Sequence, residues 1–469
     1  MSQTFGRRGI QRGYGNAERP VVKDLWAKDS RPANTAMRQV GTVEPQNGAV
    51  DYRRYYDPAY FRLEIEKLWR KSWLFACRDE DIPHVNDRVP FEVGPLSFFI
   101  VHSKPDEFKA FYNSCVHRGT KLCSKADSAQ TIRCPYHGWE WNVDGSLKFI
   151  PSHWDFTTST PSNAALREVA VGRWGGCIFI NADPNPTPFE AAISVIPKHF
   201  AGFDIEHRYT ASHYRKLVPA NWKIAQEAFM ESYHVFATHP AAVPYNGDSQ
   251  SQYDIWSSEY GHIGRQVTPS AVPSMHAPPS ASPYEAAMVY ASIMKSWHYP
   301  DAELPQLDPG KNLRVQIADW HRAVQSRLYQ RRIEQTDAVM LDSSLYFMFP
   351  HCTFWLSESL PFTYQFTPHR TDPEKSYFNV RMLKPYPEGS ARPPASPVIE
   401  VGIDETIEEK VPAFGFLAQV FDQDMANMPL IQAGAQAADP ANACSRLSAY
   451  QEMIIRHWNA EFDRCLARD

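Results

Sequence analysis

The chain has 469 residues, with 48 Lys and Arg against 53 Asp and Glu and a net charge of −5. That length exceeds a lone small electron carrier and suits two or three domains, and 43% hydrophobic and 13% aromatic residues are ample for buried cores. The mildly acidic balance argues against nucleic-acid binding, and no apolar run approaches the roughly 18 residues of a transmembrane helix.

The N-terminus lacks the apolar stretch of a secretory signal. Eight cysteines, at 77, 115, 123, 134, 177, 352, 444 and 465, show no paired spacing outside one motif, so reduced thiols in a cytoplasmic protein are expected. Residues 1–48 read as a flexible arm, with Arg7, Arg8 and Arg12 among glycines and few core-forming residues before Leu25 and Trp26. An interface arm or disordered leader is the reading taken over an RNA-binding tail. Residues 49–72 carry a helix opened by Asp57 as N-cap and Pro58 at the first helical position, with Phe61, Ile65, Leu68 and Trp69 on one face.

Residues 73–190 read as all-β: short runs of β-branched and aromatic residues alternate with Pro, Gly and Asp, and Asn142–Ser146 supplies a hairpin turn. Within them lie Cys115-Val116-His117-Arg118-Gly119-Thr120 and Cys134-Pro135-Tyr136-His137-Gly138-Trp139. Each half can aim two ligands at one point. Two thiolates and two imidazoles suit either tetrahedral zinc or a [2Fe–2S] cluster with Cys on one iron and His on the other. Zinc sites usually carry Cys-x-x-Cys or His-x3-His halves, and neither is present. The full string resembles the Rieske cluster motif, which implies Cys115, His117, Cys134 and His137 as cluster ligands. High-potential members carry an extra Cys in each loop, where this chain has Thr120 and Tyr136, so a low-potential centre is implied.

Residues 191–469 hold a second constellation. Asn221-Trp222-Lys223 opens an expected helix running through Glu227, Glu231 and His234 toward His239-Pro240. Five residues turn an ideal helix by about 140°, so His234 and His239 share a target only if the helix breaks between them, and Pro240 favours that break. Between about 405 and 435, Leu417, Val420, Phe421, Met428 and Ile431 form an apolar helical stripe with Asp424 in its middle. A buried carboxylate there requires a metal, an Arg or a proton. Asp422 and Asp404 lack this placement and read as capping or solvated.

Together, Asn221-Trp222-Lys223, Glu227, Glu231, Tyr233-His234, His239 and Asp424-x-x-Asn427-Met428 resemble the catalytic α subunit of Rieske non-heme iron oxygenases, the aromatic ring-hydroxylating dioxygenase group. That resemblance implies an α+β protein: an all-β Rieske domain, then a helix-grip (START-like) catalytic domain with an antiparallel sheet. It implies Fe(II) held by His234, His239 and Asp424, and electrons from NAD(P)H delivered through a flavin reductase, a ferredoxin or both. It also implies a homotrimer, with or without β subunits, in which Glu231 links one subunit's cluster to its neighbour's iron. Two departures stand out. The family usually has Asp where this chain has Glu231, although relatives acting on quaternary amines carry Glu, and the Asn that commonly follows Glu227 is Ala228.

The expected reaction is O2-dependent dihydroxylation or monooxygenation of an apolar, aromatic small molecule, with O- or N-demethylation as the alternative. An electron-transfer iron–sulfur protein is the alternative of another class, and it leaves the second constellation without a use. Phe229, Val235, Phe236, Phe414 and Val420 are candidate pocket residues from their spacing to the ligands. Residues 241–332, including Tyr253–Ile263, are expected to form an insertion that reads substrate shape.

Overall fold

The computed structural model describes residues 21–41, 48–278 and 280–468. Ten strands build the N-terminal β region: β1 (Leu74–Arg78), β2 (Asp87–Val93), β3 (Leu96–Lys104), β4 (Glu107–Tyr112), β5 (Asp127–Ser128), β6 (Thr131–Arg133), β7 (Glu140–Asn142), β8 (Leu147–Phe149), β9 (Glu168–Trp174) and β10 (Cys177–Asn181). Seven form one antiparallel sheet in the order β1-β10-β9-β4-β3-β2-β5, and β6-β7-β8 form a small second sheet. The β7–β8 hairpin closes through the expected turn, where Gly145 N–H donates to Asn142 O and adopts φ +85°. Between the sheets, Phe99, Phe111, Ile132, Trp139 and Trp141 form a core that includes Cys115 and Cys134.

The C-terminal region is an eight-stranded sheet of β11 (Arg208–Val218), β12 (Gln252–Ser257), β13 (His262–Thr268), β14 (Ser343–Met348), β15 (Cys352–Trp355), β16 (Phe362–Pro368), β17 (Ser376–Pro385) and β18 (Val398–Val401). Its order is β12-β13-β14-β15-β16-β17-β11-β18, antiparallel except for the parallel β11–β18 edge. Every residue of β14 and of β16 is buried because both faces of the sheet are covered. Period-2 alternation divides the work. Tyr346, Met348 and Phe354 join Phe75 and Phe179 of the β region in one core. Leu345, Phe347 and Tyr364 face the opposite core, to which the helix Phe416–Ala437 contributes Leu417, Phe421, Met425 and Met428. Hydrogen bonds stitch the regions together, among them Phe75 N–H donating to His351 Nε2 (3.2 Å) and Gln365 Nε2 donating to Phe75 O (2.5 Å).

Two expectations are corrected here. The arm expected across residues 1–48 is packed over 21–41, while 1–20 and 42–47 lie outside the described residues. Val22 and Trp26 are buried in the core between the regions, and Trp26 Nε1 donates to Asp342 Oδ2 (2.8 Å). Buried Asp337 accepts from the N–H groups of Ser30 and Arg31. Composition missed this because a few anchors, not overall apolarity, hold the segment. The expected insertion is also smaller: Tyr253 and Ile263 belong to β12 and β13, strands of the main sheet. The helices Pro283–His298 and Leu313–Leu328 remain as the additions between β13 and β14.

The helix at Pro58–Glu64 is capped by Asp57 as expected and continues as a π-turn over Ile65–Trp69. It carries Glu64 into the core, where the carboxylate accepts from Trp222 Nε1 (3.0 Å) and pairs with the fully buried Lys223. Asn221-Trp222-Lys223 is thus the anchor of the helix Trp222–Glu227 against the N-terminal helix. Glu227 serves the same joint, accepting from Tyr55 Oη (2.8 Å) and Asn459 Nδ2 (2.9 Å).

Candidate metal centres and their cavity

The two cysteine–histidine loops have the same local form. Cys115 N–H donates to Thr120 O and Gly119 N–H to Cys115 O, while Cys134 N–H donates to Trp139 O and Gly138 N–H to Cys134 O. Gly119 and Gly138 adopt φ +76° and +71°, a conformation that favours glycine and lets each loop fold back under its sulfur. Both cysteines are buried, and the His117 and His137 ring centroids lie 4.7 Å apart. Trp139 stacks on His117 at 5.1 Å with planes 2° apart, fixing that ring.

The donor set fits a Rieske cluster. Nδ1 of His117 and Nδ1 of His137 are buried without a hydrogen-bond partner among the described residues, as ring nitrogens reserved for a metal would be. Burial, with nearby His137 and Arg118, disfavours the cation of His117 and so leaves it neutral. Burial opposes a thiolate at Cys134, yet the backbone N–H groups of His137 and Tyr136, with smaller help from the Cys115 thiol and Thr120, outweigh it and lower that thiol.

The second site forms where three elements meet. The helix beginning at Trp222 stops at Glu227, earlier than expected, and a new single turn spans Val235–Thr238 with His234 at its N-cap and His239 at its C-cap. Ser232 holds the break, its N–H donating to Tyr253 Oη (3.0 Å) and its Oγ to Asp248 O (3.0 Å). The two imidazoles thereby converge with Asp424 from the helix Phe416–Ala437. Asp424 Oδ1 lies 3.0 Å from His239 Nε2 and 3.6 Å from His234 Nε2, and one ligand atom from each residue falls within 4.8 Å of the others. Asp424 is only 6% exposed, as its place on the apolar stripe required. Ile431, expected on the same stripe, is exposed, and Asp422 caps Ile407 and Glu408.

Each imidazole is oriented from behind. Glu231 accepts from His234 Nδ1 (2.6 Å) and from His234 N–H (3.0 Å). Gln423 Oε1 accepts from His239 Nδ1 (2.7 Å). Both bonds fix the tautomer that presents Nε2 to the shared centre. Burial works against a cation at His234, but the Glu231 hydrogen bond and the charges of Glu231 and Asp424 lift it to about 9. The centre favours positive charge, and two imidazoles with one carboxylate is the donor set of a facial-triad iron site.

A cavity of about 140 Å³ opens beside this centre. Phe229, Val235 and Val420, three of the five expected pocket residues, border it with Trp355, Tyr364 and Phe421. The other two do not. Phe236 is 38% exposed and stacks on His276 at 4.4 Å, because the single turn after His234 rotates it outward. Phe414 is fully buried in the layer behind, 5.0 Å from Tyr214 and 5.4 Å from Phe362. Gln423, Trp355, Tyr364 and Gln266 were not singled out in the sequence. Only Gln423 had a local signal, its place beside Asp424.

Residues 72–160 match the Rieske [2Fe-2S] domain family, and residues 203–468 match the ring hydroxylating alpha subunit (catalytic domain) family. The second match alone covers more than half of the chain, which therefore belongs to the ring-hydroxylating α-subunit family of Rieske proteins. The carnitine monooxygenase oxygenase subunit of Escherichia coli (strain K12) is 29% identical over 226 residues, covering 47% of this chain and 60% of that relative. The chain thus spans less than two thirds of that curated relative's length. A quaternary ammonium Rieske monooxygenase bound to an inhibitor shares the fold with a TM-score of 0.61 at 18% identity, over 90% of this chain and 99% of the other. Naphthalene 1,2-dioxygenase bound to indole does so with a TM-score of 0.62 at 17% identity, over 93% and 95%.

Proposed function

We propose that the chain is the oxygenase component of a Rieske system, using O2 to hydroxylate a small apolar, aromatic molecule. In this reading Cys115, His117, Cys134 and His137 hold a [2Fe–2S] cluster, and His234, His239 and Asp424 hold Fe(II). The supporting observation is the convergence of those three residues at the wall of a largely apolar cavity. An electron carrier would need only the cluster loops. When bound, the cluster supplies single electrons and the ferrous ion supplies open positions for O2. The chain's own part is to hold Nε2 of both imidazoles toward one point through Glu231 and Gln423, to bring the Asp424 carboxylate to the same point, and to exclude water with aromatic walls.

Electrons come from NAD(P)H through a reductase, with or without a ferredoxin. A homotrimer, with or without β subunits, would let Glu231 join a neighbour's cluster to this chain's iron. We read the sheet β11–β18 with the helix Phe416–Ala437 as a helix-grip fold, residues 73–190 as the cluster domain and 191–469 as the catalytic domain. Among the described residues no helix is long and apolar enough to cross a membrane. A second reading, monooxygenation of a quaternary amine, is favoured by Glu at 231 and by the similarity to a carnitine monooxygenase subunit.

The test is metal and product analysis of the purified protein. About three irons and about two sulfides per chain are expected, from one cluster and one facial triad. With a reductase and 18O2, label should enter an aromatic substrate. Two irons, or no O2-dependent product, would instead support the electron carrier.

A further inference from the structure

The cavity is less apolar than its aromatic walls suggest. Strand β13 presents Ile263 and Val267 to the core beside the N-terminal segment, and Gln266 and Thr268 to the cavity. Across the ladder Gln266 pairs with Leu345 and Thr268 with Ser343, which also border the cavity. Gln266 is 5% exposed; its Nε2 reaches Thr268 Oγ1 at 3.3 Å, and its Oε1 has no partner among the described residues. Asn246, in the loop that follows His239, borders the same cavity with its Oδ1 likewise buried and unpartnered. Two unpartnered amide oxygens on residues that border one cavity offer open acceptor capacity to a hydrogen-bond donor bound there.

Charge narrows the ligand further. The acidic and basic side chains bordering the cavity are Glu231, His234, His239 and Asp424, and no Lys or Arg does so among the described residues. No guanidinium or ammonium borders the cavity to pair a carboxylate on the ligand, and the positive charge that the centre favours is already met by Glu231 and Asp424. Because a carboxamide presents either an oxygen or an NH2, a hydroxyl, which both donates and accepts, suits Gln266 and Asn246 in either orientation.

We propose that this cavity, taken as the substrate site of the oxygenase read above, selects a neutral apolar molecule bearing a hydroxyl, and that Gln266 and Asn246 receive that group. These residues determine specificity and are separate from the metal donors.

Calorimetric binding of indane, 1-indanol and indane-1-carboxylate to the metal-replete protein tests this. The alcohol should bind about tenfold more tightly than the hydrocarbon, the worth of one well-made buried hydrogen bond. The carboxylate should bind more weakly than either. Gln266→Leu and Asn246→Leu should each move the alcohol-to-hydrocarbon ratio toward one, and the second variant carries the comparison if the first does not fold. Equal affinities in the unaltered protein, an unchanged ratio in both variants, or tight binding of the carboxylate would each overturn the assignment. If neither indane nor 1-indanol binds but another substrate is oxidised with O2, the hydroxyl subsite fails and the oxygenase reading stands. Selective alcohol binding without any O2-dependent product would have the opposite meaning.

Discussion

Gln423 and His239 are joined by a 2.7 Å hydrogen bond across 184 positions of sequence, and the residue beside Gln423, Asp424, lies 3.0 Å from the other nitrogen of the same ring. One stretch of helix therefore both grips His239 from behind and completes the donor set in front of it. Replacing Gln423 with Leu removes the rear hydrogen bond and keeps the donors. Iron affinity or turnover should fall about 10- to 100-fold, the usual cost of losing such a partner, while the cluster's visible spectrum stays unchanged. Iron titration alongside turnover measures it.

Glu231 holds His234 in the same manner but through a charge. In Glu231→Gln the side-chain amide keeps an oxygen for Nδ1 while the charge is gone, so both metals should remain bound. Turnover should be lost if the carboxylate also carries the link between subunits. Full activity in a metal-replete Glu231→Ala protein would refute that link, and rapid-mixing spectroscopy would show whether a reduced cluster can still deliver its electron.

Asp424→Ala should empty one centre only. Iron content should drop by about one per chain with acid-labile sulfide unchanged, since Cys115 and Cys134 lie in a separate core. An unchanged iron count would remove Asp424 from the donor set.

The buried pair of Lys223 and Glu64 offers a test of stability. Lys223→Met leaves Glu64 buried with only Trp222 Nε1 as a donor, and breaking such a pair costs roughly 3–5 kcal/mol. Chemical denaturation should show a loss of that order, whereas the double change to Lys223→Met with Glu64→Leu should recover much of it.

His351 predicts an acid response. Burial lowers it to about 3 while its Nε2 accepts the Phe75 N–H, so the folded protein holds it neutral. Its unfolded counterpart protonates near about 6.5. A depressed folded value means stability is fully present above about 6.5 and is lost as pH falls from there toward 3, at about 1.4 kcal/mol per pH unit for this one group. In His351→Gln the acid slope of stability should be shallower by about one proton. An identical slope would place the acid sensitivity elsewhere.

The parts of the molecule that were legible in the sequence are those whose signal is local. Each cysteine–histidine loop keeps its two candidate ligands and its glycine within six residues, the second adds Trp139, and Asp424 stands out as a carboxylate on an apolar stripe. What escaped depended on long-range register. The break at Ser232 is made by Tyr253, Asp248 and Ser251, so the turn that sends Phe236 outward could not be read from spacing to His234. Gln266 carries no local signal, because the polar face of an alternating strand usually meets water. Here that face meets an enclosed cavity, because both sides of the sheet are covered.

Strand β13 has a consequence of its own. Arg265, fully buried, points away from the cavity, pairs with Asp254 and donates to the carbonyl oxygens of Met37 and Gln39 in the N-terminal segment. Its neighbour Gln266 points the other way. A single run of backbone thus serves as the floor of the cavity and as the seat of the segment 21–41. Trimming that stretch would loosen the floor from outside, so a shortened protein could change its preference for substrates with every residue in the cavity intact.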